Sequence, residues 1–149
     1  MIESLNDVLL FLESTPDEEE LKQAHLGNAL SSMHVALGEK SWVGLYLATP
    51  ARLILGPFQG TPACEVIAFG KGVVGTSYSQ EDVIAVNDVS KFPGYICCDA
   101  AAKSEICLPM YVNGKIAAIL DIDLPDLHDW QQEEIDILKK IATYLARFI

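Results

Sequence analysis

The dipeptide Asn113-Gly114, inside "EICLPMYVNGKIAAILDID", constrains the fold more than any other feature of the chain. A two-residue hairpin turn of the common kind needs positive φ at both central positions, which Asn and Gly tolerate best. Here they sit between two runs of strand-forming residues, so the two arms pair as antiparallel neighbours. Shorter runs, "SWVGLYLA", "RLILGPF", "CEVIAF" and "VIAVND", are separated by turn residues and supply further strands.

Helical periodicity flanks these strands. In "STPDEEELKQAHLGNALSSMHVALG", Thr15 serves as N-cap, Pro16 as first helical residue and Glu18 as capping-box partner, predicting a helix to about Leu37. Leu26, Leu30, Met33 and Leu37 line one face of it, with His25 and His34 at the surface or half-buried. The segment "DWQQEEIDILKKIATYLARFI" predicts a final helix with Ile135, Leu138, Ile141 and Leu145 on one side. Its acids come early and Lys139, Lys140 and Arg147 late, as the helix dipole favours. The predicted fold class is α+β: one domain over residues 1–149, a central antiparallel sheet flanked by N- and C-terminal helices. Gly72 and Gly75 in "FGKGVVGTS" match neither the P-loop nor the dinucleotide fingerprint, and are read as turn and close-packing positions.

With half of its 149 residues apolar, the chain can bury a sizeable core without disulfide staples. A net charge of −11 argues against nucleic acid and anionic membranes as partners. No apolar run approaches the length of a membrane span, and "MIESLNDVLLFLES" has acids where a signal peptide needs positive charge, so a cytoplasmic location is expected. There the four cysteines should be thiols, and any disulfide among them catalytic or redox-sensing. No CxxC or HxxxH spacing supports a metal site, and none is expected.

Along "KIAAILDIDL", side chains alternate, placing Asp121 and Asp123 on one face with Ala117 and Ile119, and Leu120 and Ile122 on the other. Two carboxylates on an otherwise apolar strand are costly unless solvent, a partner or a ligand receives them. Glu105 joins them only in some registers. A strict Asn-Gly turn pairs Glu105 with Ile122, and a three-residue loop with a bulge pairs it with Asp121. Three acids gathered in one pocket would repel, raise at least one pKa and keep a carboxyl protonated near neutral pH. In "WVGLYL", Trp42, Gly44 and Tyr46 share a face, as core or as the wall of an apolar slot.

These stretches together, with "LILGPFQGTPAC", "FGKGVVGT" and "FPGYICCDAAAKSEICLPM", resemble the single-domain GAF proteins that are free methionine-(R)-sulfoxide reductases. The resemblance spans roughly residues 40–125. It implies an often dimeric, thioredoxin-dependent enzyme that reduces the R diastereomer of free methionine sulfoxide, without a bound cofactor. The motif "CDAA(S/A)xSE" puts the nucleophile at Cys98 and an acid at Glu105, and "GPFQGxPAC" puts the resolving thiol at Cys64. The "DID" carboxylates fall at Asp121 and Asp123, and Trp42 and Tyr46 resemble the wall around the methylsulfinyl end. On this reading Cys98, Cys64, Glu105 and Asp123 are catalytic, while Trp42, Tyr46 and Asp121 bind substrate. The third cysteine usual in "GKGVCGT" is Val74 here, and Cys97 and Cys107 lie outside the usual set. The competing reading is a GAF module that binds a small ligand without chemistry.

Overall fold

In the computed structural model, which describes residues 1–149, the Asn113-Gly114 hairpin lies within a six-stranded antiparallel sheet. The chain runs α1 (Ile2–Ser14), α2 (Lys22–Leu37), β1 (Trp42–Ala48), β2 (Leu53–Gln59), β3 (Val66–Ile67), α3 (Gly72–Gln80), β4 (Ile84–Val86), β5 (Ser104–Val112), β6 (Lys115–Leu124) and α4 (Gln132–Leu145), with short 3-10 turns between. Strand order is β3-β2-β1-β6-β5-β4. The expected α+β architecture is present. No helix is long and apolar enough to cross a membrane.

Two helical features depart from expectation. Residues 2–14 form α1, because Leu5, Val8, Leu9 and Leu12 make a buried stripe at helical spacing. Thr15 therefore ends a helix instead of starting one: its hydroxyl donates to the Phe11 carbonyl at 2.8 Å. The next helix begins only at Lys22. The second departure is α3, in the glycine-containing stretch expected to be turns. Burial of Val73 and Val74 outweighs the poor helix propensity of its glycines. Close packing does hold at Gly75, where a Cβ would sit 2.5 Å from the Ala68 carbonyl oxygen. In α4 the buried stripe includes Ile137, while Ile135 is half-buried.

Asn113 and Gly114 have φ of +52° and +77°, as the tight turn requires. From that turn Val112 pairs with Lys115 and Tyr111 with Ile116, but Met110 pairs with Ala118. Ala117 is left over as a bulge. Neither expected register occurs beyond it: Glu105 lies opposite Asp123, and Cys107 opposite Asp121. The bulge moves the pairing by one in the direction opposite to a three-residue loop. Glu105 thereby reaches the face of the aspartates.

One face of the sheet packs on α2 and α4, with α1 docked on those two helices, through residues such as Val43, Leu45, Ile106, Leu108, Leu120 and Ile122. The other carries Trp42, Tyr46, Cys107 and Ile119, and is covered by α3 and the segments around Cys64 and Cys98.

Candidate active site

Two rows of side chains cross the sheet on this second face. In one, Trp42, Asp123, Glu105 and Val86 are successive cross-strand neighbours; in the other, Gly44, Asp121, Cys107 and Ile84. Strand alternation makes each row face the same way. Gly44 contributes no side chain, and the Trp42 ring fills that gap: a Cβ on Gly44 would lie 2.4 Å from it. The expected aromatic wall is thus a stack, with Trp42 against Phe58 at 5.3 Å and Tyr46 at 6.1 Å.

The aromatic polar tips hold the next segment. Trp42 Nε1 donates to the Thr61 carbonyl at 2.8 Å, and the Tyr46 hydroxyl donates to the Cys64 carbonyl at 2.9 Å. Cys64 is thereby fixed beside the sheet, where it forms a disulfide with Cys98, 34 residues later, with Cα atoms 5.3 Å apart. Cys97 is a free, exposed thiol and Cys107 a free, buried one. The four cysteines accordingly do not converge as a metal-binding set.

Cys98 lines a cavity with Trp42, Tyr46, Glu105, Asp121 and Asp123. All seven residues singled out from the sequence are brought together here, Cys64 through its bond to Cys98. The cavity also has Tyr95, Ile96, Asp99, Val73 and Val74 in its wall. In this disulfide form it measures about 20 Å³, room for about one water.

Glu105, Asp121 and Asp123 are 5 %, 4 % and 9 % exposed, with no basic side chain among the residues lining the cavity. Burial, with the charge of Asp123, pushes the Glu105 carboxyl up to about 8. Burial and the Glu105 charge drive Asp121 well above the usual carboxylate range; burial, Asp121 and Asp99 do the same for Asp123. Burial and these acids also raise the Tyr46 and Tyr95 phenols. The site can therefore hold protons near neutral pH and can receive a cation.

Cys107 lies outside the seven residues that the sequence singles out. Its Sγ lies 3.4 Å from Glu105 Oε1 and 3.3 Å from Asp121 Oδ1, with the side chain fully buried. The signal was its position two residues after Glu105 on one strand. Donor atoms of Glu105, Cys107 and Asp121 all lie within 4.8 Å of one another.

The GAF domain family model matches residues 8–149, and the chain belongs to this family. Within it, the chain is similar to the free methionine-R-sulfoxide reductase of Saccharomyces cerevisiae, 38 % identical over 97 % of this chain and 85 % of the yeast protein. Protein YtsP of Bacillus subtilis is 42 % identical over 91 % and 85 %. Among solved structures, the Neisseria meningitidis free methionine-R-sulfoxide reductase in complex with its substrate has a TM-score of 0.84 and 31 % identity, covering 98 % of this chain and 86 % of that one.

Proposed function

We propose that this chain reduces free methionine (R)-sulfoxide to methionine, with Cys98 as nucleophile, Cys64 as resolving thiol and thioredoxin as electron donor. The observation that carries this reading is the convergence of a bonded cysteine pair and a buried, proton-holding acid cluster on one cavity. The names of the yeast and Neisseria relatives supply the substrate. No observation favours the ligand-sensing alternative.

In the dithiol state Cys98 attacks the sulfoxide sulfur as thiolate, and the oxygen must be protonated as its bond to sulfur is replaced. Glu105, protonated at neutral pH, is suited to give that proton, with Asp123 on the facing strand as the second acid. The protonated oxygen then passes to Cys98 Sγ as the new sulfur–sulfur bond breaks, which releases methionine and leaves Cys98 as a sulfenic acid. The Cys64 thiol then attacks it, expelling water and forming the disulfide. Thioredoxin returns two electrons by thiol–disulfide exchange and resets both thiols. A substrate ammonium group is the natural counter-charge for carboxylates that have none of their own, which suits a free amino acid. Reduction of the disulfide frees the segments carrying Cys64 and Cys98 from one another, which leaves them able to move apart around substrate. A reducing cytoplasm fits this cycle, and exposed Leu10, Phe11 and Val35 on the outer helices support a homodimer.

The test is NADPH consumption coupled through thioredoxin reductase and thioredoxin, with separate R and S free methionine sulfoxides. Turnover of the R form alone is expected. Consumption with neither diastereomer would remove the reductase reading. Cys64→Ser is expected to release about one methionine per site and then stall with thioredoxin, since its sulfenic acid is left unresolved.

A further inference from the structure

We propose that Cys107 is a positioning residue for the acid cluster, its S–H hydrogen-bonding to the Glu105 and Asp121 carboxyls and governing how firmly they hold their protons. The proposal deepens the reductase reading and rests on it only for the kinetic part of its test.

The register alone creates the arrangement. Cys107 stands directly opposite Asp121 and follows Glu105 by two on the same strand, so its side chain points between the two carboxyls. Both sulfur–oxygen separations, 3.4 and 3.3 Å, suit an S–H donor. A thiol has one proton, so it serves the two oxygens in turn. Opposite Asp121 on β1 stands Gly44, which has no side chain with which to compete.

Every other ionisable group facing this pair is acidic or weakly so: Asp123 on β6, Tyr46 on β1, Tyr95 and Asp99 in the segment before β5, and in the dithiol state the Cys98 thiol. The α3 residues lining the cavity are Gly72, Val73 and Val74, which carry no charge. Burial and the surrounding acids raise the Cys107 thiol well above its ordinary value, so it remains a neutral donor. A donor to a carboxylate stabilises the charged form and lowers the acid's pKa. Cys107 therefore works against burial and mutual repulsion, keeping the acids from binding their protons too tightly to release them to substrate. A serine could do the same, whereas a valine could not.

The test compares wild type, Cys107→Val and Cys107→Ser, all reduced, by NMR titration of the Glu105 and Asp121 side-chain carboxyl carbons. Loss of the donor in Cys107→Val should raise their titration by about one pH unit, with Cys107→Ser close to wild type. The alkaline limb of the kcat/KM profile should move in the same direction by a similar amount. Identical carboxyl titrations in wild type and Cys107→Val would overturn the proposal, whatever the enzyme's activity. Should Cys107→Val fail to fold, the disulfide form of Cys97→Ser retains Cys107 as its single thiol. Its infrared S–H band should shift as the carboxyls titrate, and a band unmoved across that range would equally overturn the proposal. Wild type inactive on the R sulfoxide, with the carboxyl shifts intact, would refute the reductase reading and leave the Cys107 assignment standing.

Discussion

The two faces of the sheet are built from the same strands and obey different rules. On the helix side, 25 buried apolar residues form one continuous cluster, and the buried acid there, Glu134 of α4, has a partner in His128 at 2.7 Å. On the other side the cluster has 10, and beside it lie Glu105, Asp121 and Asp123. Successive residues of β6 alternate between these worlds, with Leu120 and Ile122 in one and Asp121 and Asp123 in the other. Stability is therefore concentrated on the first face, which lets the second tolerate buried carboxyls that a marginal domain could not accommodate.

That division of labour can be broken one side at a time. The largest effect is expected from Cys98→Ser, which should reduce turnover in the coupled assay to background, because a hydroxyl is too weak a nucleophile for sulfoxide sulfur. Its thermal midpoint, compared with that of reduced wild type, should be unchanged. Leu120→Ala should do the reverse, costing about 2–5 kcal/mol in urea unfolding while the folded fraction keeps its specific activity. A large activity loss without loss of stability in Leu120→Ala would show that the faces are not separable.

Glu105→Gln should affect both properties in opposite directions. Activity should fall by about 10²-fold or more with loss of the acid. Stability near pH 8 should rise by several kcal/mol, for a reason whose sign follows from proton binding. Glu105 holds its proton to about 8 when folded, while the unfolded chain releases it at an ordinary carboxylate value, about 4.3. Between those values the native state binds more protons, so wild-type stability declines as pH rises, and the variant lacks this contribution. Near pH 4 the two should coincide. Equal unfolding free energies across pH 4–8 would mean that the glutamate is ionised in the fold. The smallest effect belongs to Tyr46→Phe, which leaves the Cys64 carbonyl without its donor and should cost about 1 kcal/mol. Resolution of the sulfenic acid should slow with it, measured as disulfide formation after a single turnover.

Alternation and turn chemistry made the hairpin and the main strands legible, and the helical stripes in α2 and α4 followed from spacing. What escaped was decided by contacts distant in sequence. α1 is acidic outside and stabilised by docking, while α3 forms despite its glycines because its own Val73 and Val74 are buried against the sheet. The seven candidate residues were legible from motifs, but their juxtaposition depended on the register, which no count from Asn113-Gly114 could supply without knowing that Ala117 drops out of the ladder. Cys107 went unread because a cysteine in a strand looks like core, and only the pairing partner opposite makes it part of the acid cluster.

Ala117 is also a reserve against loss of sequence. Removing either alanine of Ala117-Ala118 yields the same shortened chain, which can straighten the bulge and still set Asp121 opposite Cys107. A second deletion between Ile116 and Asp121 has nothing left to absorb it. It would turn both aspartates toward the face now held by Leu120 and Ile122, burying them among aliphatic side chains. Lineages of this chain should thus show length variation of one residue in this part of β6, and no more.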